Sequence, residues 1–178
     1  MGFVIPVNNI EEAKKEIQNL RNLHPKAVHV CFAWRIGLAN YEDRFSDDGE
    51  PNNSAGKPIF GQIINAEITN ILVAVVRYYG GTKLGVGGLI SAYKTAAKEA
   101  ILAGKIIQKH QEHLIKLSFE AAQTGEAMMH INRSNAIILE HSVDEKGHYV
   151  IFRIRTAFSQ QLLDNINNSG KFTAEIIQ

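Results

Sequence analysis

Apolar positions along the chain recur at more than one spacing, and each spacing predicts a different element. Val28, Val30, Phe32 and Trp34 alternate with His29, Cys31, Ala33 and Arg35, the two-residue period of a strand over Ala27–Ile36. Ile10, Ala13, Ile17, Leu20 and Leu23 recur three and four apart, as on the buried stripe of a helix. Asn8 or Asn9 can cap that helix, Glu11, Glu12 and Glu16 suit its positive end, and His24-Pro25 stops it. Ile71 to Val76 is an unbroken apolar run, long enough for one buried strand and too short for a membrane span. Leu89, Ala92, Tyr93, Ala96, Ala100 and Ala103 predict the inner face of a following helix, ended by Gly104. Phe3–Val7 reads as a short edge strand. Lys57–Ala66 reads as a helix with Pro58 near its first position and Ile59, Ile63 and Ala66 inward. Gly37–Gly56 shows no period and is expected as a long irregular loop.

The last third of the chain reads by periodicity alone. Leu114–Glu120 alternates, with Ile115, Leu117 and Phe119 inward. Gln123–Asn135 is helical, with a stripe of Ala127, Met128 and Ile131. Ala136–Val143 and His148–Ala157 are strands joined by the turn signal Asp144-Glu-Lys-Gly147. Ser159 is expected to cap a helix over Gln160–Asn167, Gly170 to end it, and Phe172–Ile177 to form a last strand. The order βαββαβ is that of a ferredoxin-like split βαβ unit, a layout that hosts many functions. The chain is therefore expected to be an α+β protein of two domains, 1–110 and 111–178.

Composition narrows the classes. A chain of 178 residues, 45% hydrophobic, buries one sizeable core or two small ones. The net charge of +1 argues against a broadly basic nucleic-acid coat. Met1–His110 holds 13 Lys/Arg against 10 Asp/Glu (+3), and Gln111–Gln178 holds 6 against 8 (−2). A polyanion site is thus expected in the first part, and local. A single cysteine, Cys31, forbids an internal disulfide and fits a reducing compartment. Met1-Gly-Phe-Val lacks a basic segment followed by a long apolar one, so no signal peptide is expected. The expectation is a soluble cytoplasmic protein without membrane contact.

Between the apolar run and the helix lies Arg77-Tyr-Tyr-Gly-Gly-Thr-Lys-Leu-Gly-Val-Gly-Gly88, with glycine at 80, 81, 85, 87 and 88. Such a turn aims unpaired N–H groups and the positive end of a helix dipole at one spot, which suits an anion. Lys57, Arg77 and Lys83 add charge, and Gly80, Gly81, Thr82, Gly85, Gly87 and Gly88 supply the backbone. The stretch fits neither the P-loop, which needs Lys-Ser/Thr after its last glycine, nor the G-x-G-x-x-G fingerprint. The bland reading of the same glycines is close packing of helix on strand.

The acidic cluster Asp47, Asp48 and Glu50 around Gly49 suits Mg²⁺, but the favoured reading is a solvated turn whose carboxylates hold nearby backbone N–H groups. The seven histidines are scattered without H-E-x-x-H, and C-x-x-C is absent, so no metal site or cofactor is assigned. His29 and Cys31 share a strand face, but no acid is spaced to orient them, and a lone Cys is more often a small buried hydrophobe. No catalytic residue is assigned. The second unit carries Tyr149, Ile151, Arg153 and Arg155 outward, which is not the aromatic pattern of an RNA-recognition module.

At Asp47-Asp-Gly-Glu-Pro51, Ala55-Gly-Lys-Pro-Ile59 and Val76–Leu89 the sequence resembles the YigZ/IMPACT family of cytoplasmic proteins, and His29-Val-Cys-Phe-Ala33 is similar to that family's His-x-Cys-x-Ala strand. The resemblance implies a first domain like the second domain of small-subunit ribosomal protein five and a second like the last domain of elongation factor G. Asn53-Ser54 stands where the family usually has Gly-Thr, and Ser91 where a basic residue is usual. The resemblance implies a non-enzymatic RNA- or ribosome-associated protein linked to regulation of translation. In that reading Lys57, Arg77, Lys83 and the Gly80–Gly88 amides hold a phosphate backbone. Two alternatives stay open: an enzyme on a small phosphorylated substrate with metal at Asp47, Asp48 and Glu50, and an adaptor that takes a protein partner through the acidic second domain.

Overall fold

In a computed structural model the residues described are 1–79, 84–145 and 147–178. The chain is α+β and divides into two compact units, Met1–Ile106 and Ile107–Gln178.

The first unit is built on one antiparallel sheet in the order β1-β4-β2-β3. Its elements are β1 (Gly2–Pro6), α1 (Ile10–Leu23), β2 (His29–Ile36), β3 (Glu42–Ser46), α2 (Gly56–Asn65), β4 (Ile71–Arg77) and α3 (Gly85–Ala103). Helix α1 covers one face, where Ala13, Ile17 and Leu20 meet Val30, Phe32, Trp34, Leu72, Ala74 and Val76. Helices α2 and α3 cover the other, where Ile59, Ile63, Leu89, Tyr93, Ala97 and Ile101 meet Cys31, Ala33, Val73 and Val75. A strand buried on both faces needs apolar residues at every position, which is why β4 reads as a continuous run. Asn9 caps α1, its side-chain oxygen accepting from the Glu12 N–H at 2.8 Å, and His24 closes the helix.

Three expectations need correction. Glu42–Ser46, expected inside a long loop, is β3, paired with Phe32–Ile36. It is an edge strand with four of its five residues exposed, so no apolar alternation marks it; the pairing is carried by cross-strand contacts such as Arg35 with Asp43, at 2.9 and 2.7 Å. The buried stripe of α3 is Leu89, Tyr93, Ala97 and Ile101, while Ala92 and Ala103 face solvent. Ala96 and Ala100 serve another contact: a Cβ on Gly2 would lie 2.5 Å from the Ala96 carbonyl oxygen and 2.9 Å from the Ala100 Cβ. Small residues here let β1 and α3 approach.

The second unit contains β5 (Glu112–Phe119), a 3₁₀ turn at Ala121–Gln123, α4 (Thr124–Arg133), β6 (Ile137–Asp144), β7 (Gly147–Arg155), α5 (Thr156–Asn167) and β8 (Thr173–Ile176). The sheet is antiparallel in the order β6-β7-β5-β8. Ile115, Leu117, Phe119, Val150, Phe152 and Ile154 form its inner face with Ala127, Ile131, Leu162 and Ile166 of the helices. The third correction concerns α5. The helix begins at Thr156, so Ser159 lies within its first turn and is buried. Its hydroxyl donates back to the Thr156 carbonyl (2.9 Å) and accepts from His113 Nδ1 (2.8 Å). The chain turns straight from strand into helix, which leaves no room for the expected cap.

Candidate functional site

The acidic turn Asp47–Pro51 follows β3 and folds back over the face of the sheet that α2 and α3 cover. Asp48 adopts φ 46°, Gly49 φ 87° and Asn53 φ 60°, a left-handed path that Asn, Asp and Gly accept. Each carboxylate of the turn has a separate set of partners. Asp47 Oδ1 accepts from the Ala55 and Gly56 N–H groups at 2.9 and 2.8 Å, and Oδ2 from Asn53 N–H at 2.8 Å. That carboxylate closes the N-terminal end of α2. Asp48 accepts from Arg21 of α1 and from the Val30 N–H of β2, both at 2.6 Å.

Glu50 is the buried member. Its Oε1 accepts from Arg77 Nη1 at the end of β4 and from the Tyr93 hydroxyl of α3 at 2.8 Å. His29 Nε2 stands 3.9 Å from the same oxygen. His29 Nδ1 is 2.7 Å from the Asp48 carbonyl oxygen; a carbonyl only accepts, so Nδ1 carries the hydrogen. The bond to Glu50 raises the Arg77 guanidinium pKa. Burial raises the Tyr93 phenol, with its bonds to Cys31 and Glu50 adding to the effect. Cys31 Sγ lies 3.0 Å from the Asp47 carbonyl oxygen and 3.4 Å from Tyr93. Burial pushes its thiol from 9.0 up to about 12.

The chemistry of this cluster is that of a clamp. An Mg²⁺ ion takes open carboxylate oxygens in octahedral array, whereas these three carboxylates diverge onto backbone N–H groups, two arginines and a tyrosine. Among the described residues no group of three His, Cys, Asp or Glu converges as a metal site. Cys31, fully buried and protonated at neutral pH, is no nucleophile.

The expected anion ligands are distributed differently. Arg77 is tied to Glu50, because a buried carboxylate needs its counter-charge. Gly80, Gly81, Thr82 and Lys83 lie outside the described residues. Lys57 is exposed in the first turn of α2. Gly85, Gly87 and Gly88 lie in the first turn of α3, with Leu84 before them and, among the described residues, no side-chain hydrogen bond capping the turn. Among the described residues nothing lies within 4 Å of a Cβ placed on Gly85 or Gly87, and Tyr78, Tyr79, Leu84 and Val86 are all exposed nearby in the chain. Tyr93 and Arg21 belong to the site without any local signal in the sequence. Tyr93 reads there as one position of an apolar stripe, and Arg21 as one surface cation of a helix.

On the second unit's open sheet face, Lys116 pairs with Asp144 (3.0 Å), Arg153 with Glu112 (2.9 Å) and Tyr149 with Glu140 (2.6 Å). Lys116 Nζ also lies 4.3 Å from the centre of the Tyr149 ring, covering that aromatic. Among the described residues no helix is long and apolar enough to cross a membrane.

The His29 strand, the acidic clamp and the start of α3 all fall inside residues 1–101, which match the Impact N-terminal domain. The chain belongs to the IMPACT family. It is similar to the IMPACT family member YigZ of Escherichia coli (strain K12), 42% identical over 96 residues, which make up 53% of this chain and 47% of that protein. The match thus spans less than half of the Escherichia coli relative. It is similar to the IMPACT family member YvyE of Bacillus subtilis (strain 168), 28% identical over 167 residues, 92% of this chain and 77% of that one. A solved structure described as that of a hypothetical protein is 29% identical, with a TM-score of 0.65, covering 99% of this chain and 87% of that chain. The IMPACT match ends within α3 and takes in every residue of the clamp.

Proposed function

We propose that this IMPACT family chain is a non-enzymatic, RNA- or ribosome-associated protein linked to regulation of translation, and that an RNA phosphate backbone lies at the N-terminal turn of α3. The observation that carries the reading is the bare first turn of that helix. The N-terminal ends of α1 and α2 are closed by Asn9 and Asp47, whereas the turn at Gly85–Gly88 is largely exposed and, among the described residues, meets no side-chain acceptor. Backbone N–H groups left open at a helix N-terminus favour phosphate. Lys57 adds an exposed cation, and Tyr78, exposed and edge-on to His24, offers a ring face of the kind unpaired bases stack on, while the Arg77 guanidinium lies over the Tyr79 ring. Gly80–Lys83 complete the proposed loop. Arg77 holds the loop's origin through Glu50 instead of meeting the phosphate itself.

The fold likenesses belong to the same proposal. The sheet order of the second unit supports a ferredoxin-like unit of the kind found as the last domain of elongation factor G. The first unit's covered four-stranded sheet supports likeness to the second domain of small-subunit ribosomal protein five.

Filter binding of the purified full chain to labelled ribosomal RNA, at low and moderate salt, tests the reading. Binding is expected to fall steeply with salt. Gly87→Asp places a carboxylate in the first turn, where it suits the helix dipole and occupies the anion's position. It should leave the fold intact and weaken RNA binding by about tenfold, as expected for lost charge-assisted contact. Absence of binding at low salt, or an affinity unchanged by Gly87→Asp, overturns the proposed site.

A further inference from the structure

We propose that the groove between α2 and the C-terminal half of α3 binds a small amphipathic organic anion whose apolar body carries a hydrogen-bond donor. The groove encloses about 610 Å³, within the range of small-ligand sites. Its apolar wall includes Ala66, Ile101 and Leu102. Lys94 and Lys98, one turn apart on α3, line it as well. Neither lysine has a carboxylate partner among the described residues, and no Asp or Glu is among the lining residues. Two unpaired cations beside an apolar wall select an anion with an apolar body.

Gln62 supplies an independent observation. It lines the groove from α2 and is 8% exposed. Its amide nitrogen reaches the Pro58 carbonyl only at 3.5 Å, and no donor among the described residues reaches its carbonyl oxygen. Among the described residues no buried side-chain polar atom lacks a partner, so this oxygen is open to water from the groove, and a ligand that covers it must supply an N–H or O–H in its place. The groove is separate from the proposed RNA site. Gly88 and Lys94, the nearest members of the two, are six residues apart on one helix, or roughly 9 Å along its axis.

The test is titration calorimetry of the full chain with N-octanoylglycine, which has the anion, the apolar body and an amide donor. Octanoate lacks the donor, and N-acetylglycine lacks the apolar body. Saturable binding of N-octanoylglycine is expected, several-fold weaker binding of octanoate, and none of N-acetylglycine. The double variant Lys94→Glu/Lys98→Glu alters exposed positions only and should weaken both acyl anions at least tenfold. Gln62→Met keeps the side chain's length without its amide, and should erase the preference for N-octanoylglycine while leaving octanoate unchanged. The proposal is overturned by any of three results: no saturable binding of N-octanoylglycine, equal binding of the two acyl anions to the unaltered chain, or affinities unmoved by the double lysine variant.

Discussion

The Arg77 guanidinium donates to the Glu50 carboxylate, joining the last residue of β4 to the turn that follows β3. The same Glu50 oxygen accepts from Tyr93, two turns into α3. The glycine-rich stretch follows Arg77 in sequence, and α3 begins at Gly85, two turns before Tyr93. The Asp-Asp-Gly-Glu turn thereby ties the end of β4 to α3.

Removing Glu50 should accordingly cost far more than a surface acid. Glu50→Ala leaves the partly buried Arg77 without its partner, and a loss of about 2 kcal/mol is expected. Urea unfolding followed by Trp34 fluorescence measures it, since Trp34 is the single tryptophan and lies in the first unit's core. The double variant Glu50→Ala/Arg77→Met should lose less than the sum of the two single changes. Strict additivity would show that the pair does not act as one.

Asp47 serves backbone donors, and its replacement tests the clamp reading against a metal reading. Asp47→Ala should destabilise by about 2 kcal/mol, the scale of a lost helix cap, while Asp47→Asn recovers part through its remaining acceptor. Millimolar Mg²⁺ should leave the melting temperature of the unaltered protein where it was. A magnesium-dependent rise that vanishes in Asp47→Ala would reinstate the metal.

Two glycines of α2 should respond in opposite directions. A Cβ on Gly56 would stand 2.7 to 2.8 Å from the Ser46 backbone, so Gly56→Ala forces β3 away from the helix and should cost about 1–3 kcal/mol. A methyl group on Gly61 would meet nothing within 4 Å, and Gly61→Ala should stabilise by about 0.5–1 kcal/mol through helix propensity. Thermal melts of the two variants, side by side, settle the signs.

Cys31 should be silent towards thiol reagents in the native protein. With its thiol raised from 9.0 to about 12, the reactive thiolate is absent at pH 8, and labelling should begin only as the chain unfolds. The pH dependence has a fixed sign. Below pH 9 both folded and unfolded thiols hold their proton, so the contribution to stability is complete. Above it the unfolded chain releases the proton while the folded one keeps it, and stability falls towards pH 12. In Cys31→Ala that share of the alkaline loss should disappear; rapid labelling of the native protein at pH 8 would contradict the burial argument.

The strands and helices that bury apolar residues on a regular period were legible: α1 from its stripe and Asn9, β4 from its unbroken run, and the strand–helix–strand–strand–helix–strand order of the second unit. The edge strand β3 was not, because Glu42–Ser46 is held by a neighbour's backbone and by Arg35, and solvent imposes no period on it. Asp47, Asp48, Glu50 and Arg77 were legible as residues of interest by their clustering and family resemblance. Their partners were not. Nothing in the order of residues says that Glu50 meets Arg77 and Tyr93, which lie 27 and 43 positions away.

By itself the sequence determined where apolar faces recur, and hence the elements other than β3, and the family. These follow from local periods of 2 and 3.6 residues and from short motifs, each contained within a few turns of chain. Only the tertiary structure decided what the charged residues do. It directed the three carboxylates of the acidic cluster onto different hydrogen-bond donors, and it gave Arg77 a partner in the buried Glu50 carboxylate. The physical reason is that burial sets the value of a charge, and burial is a property of which distant segments pack together.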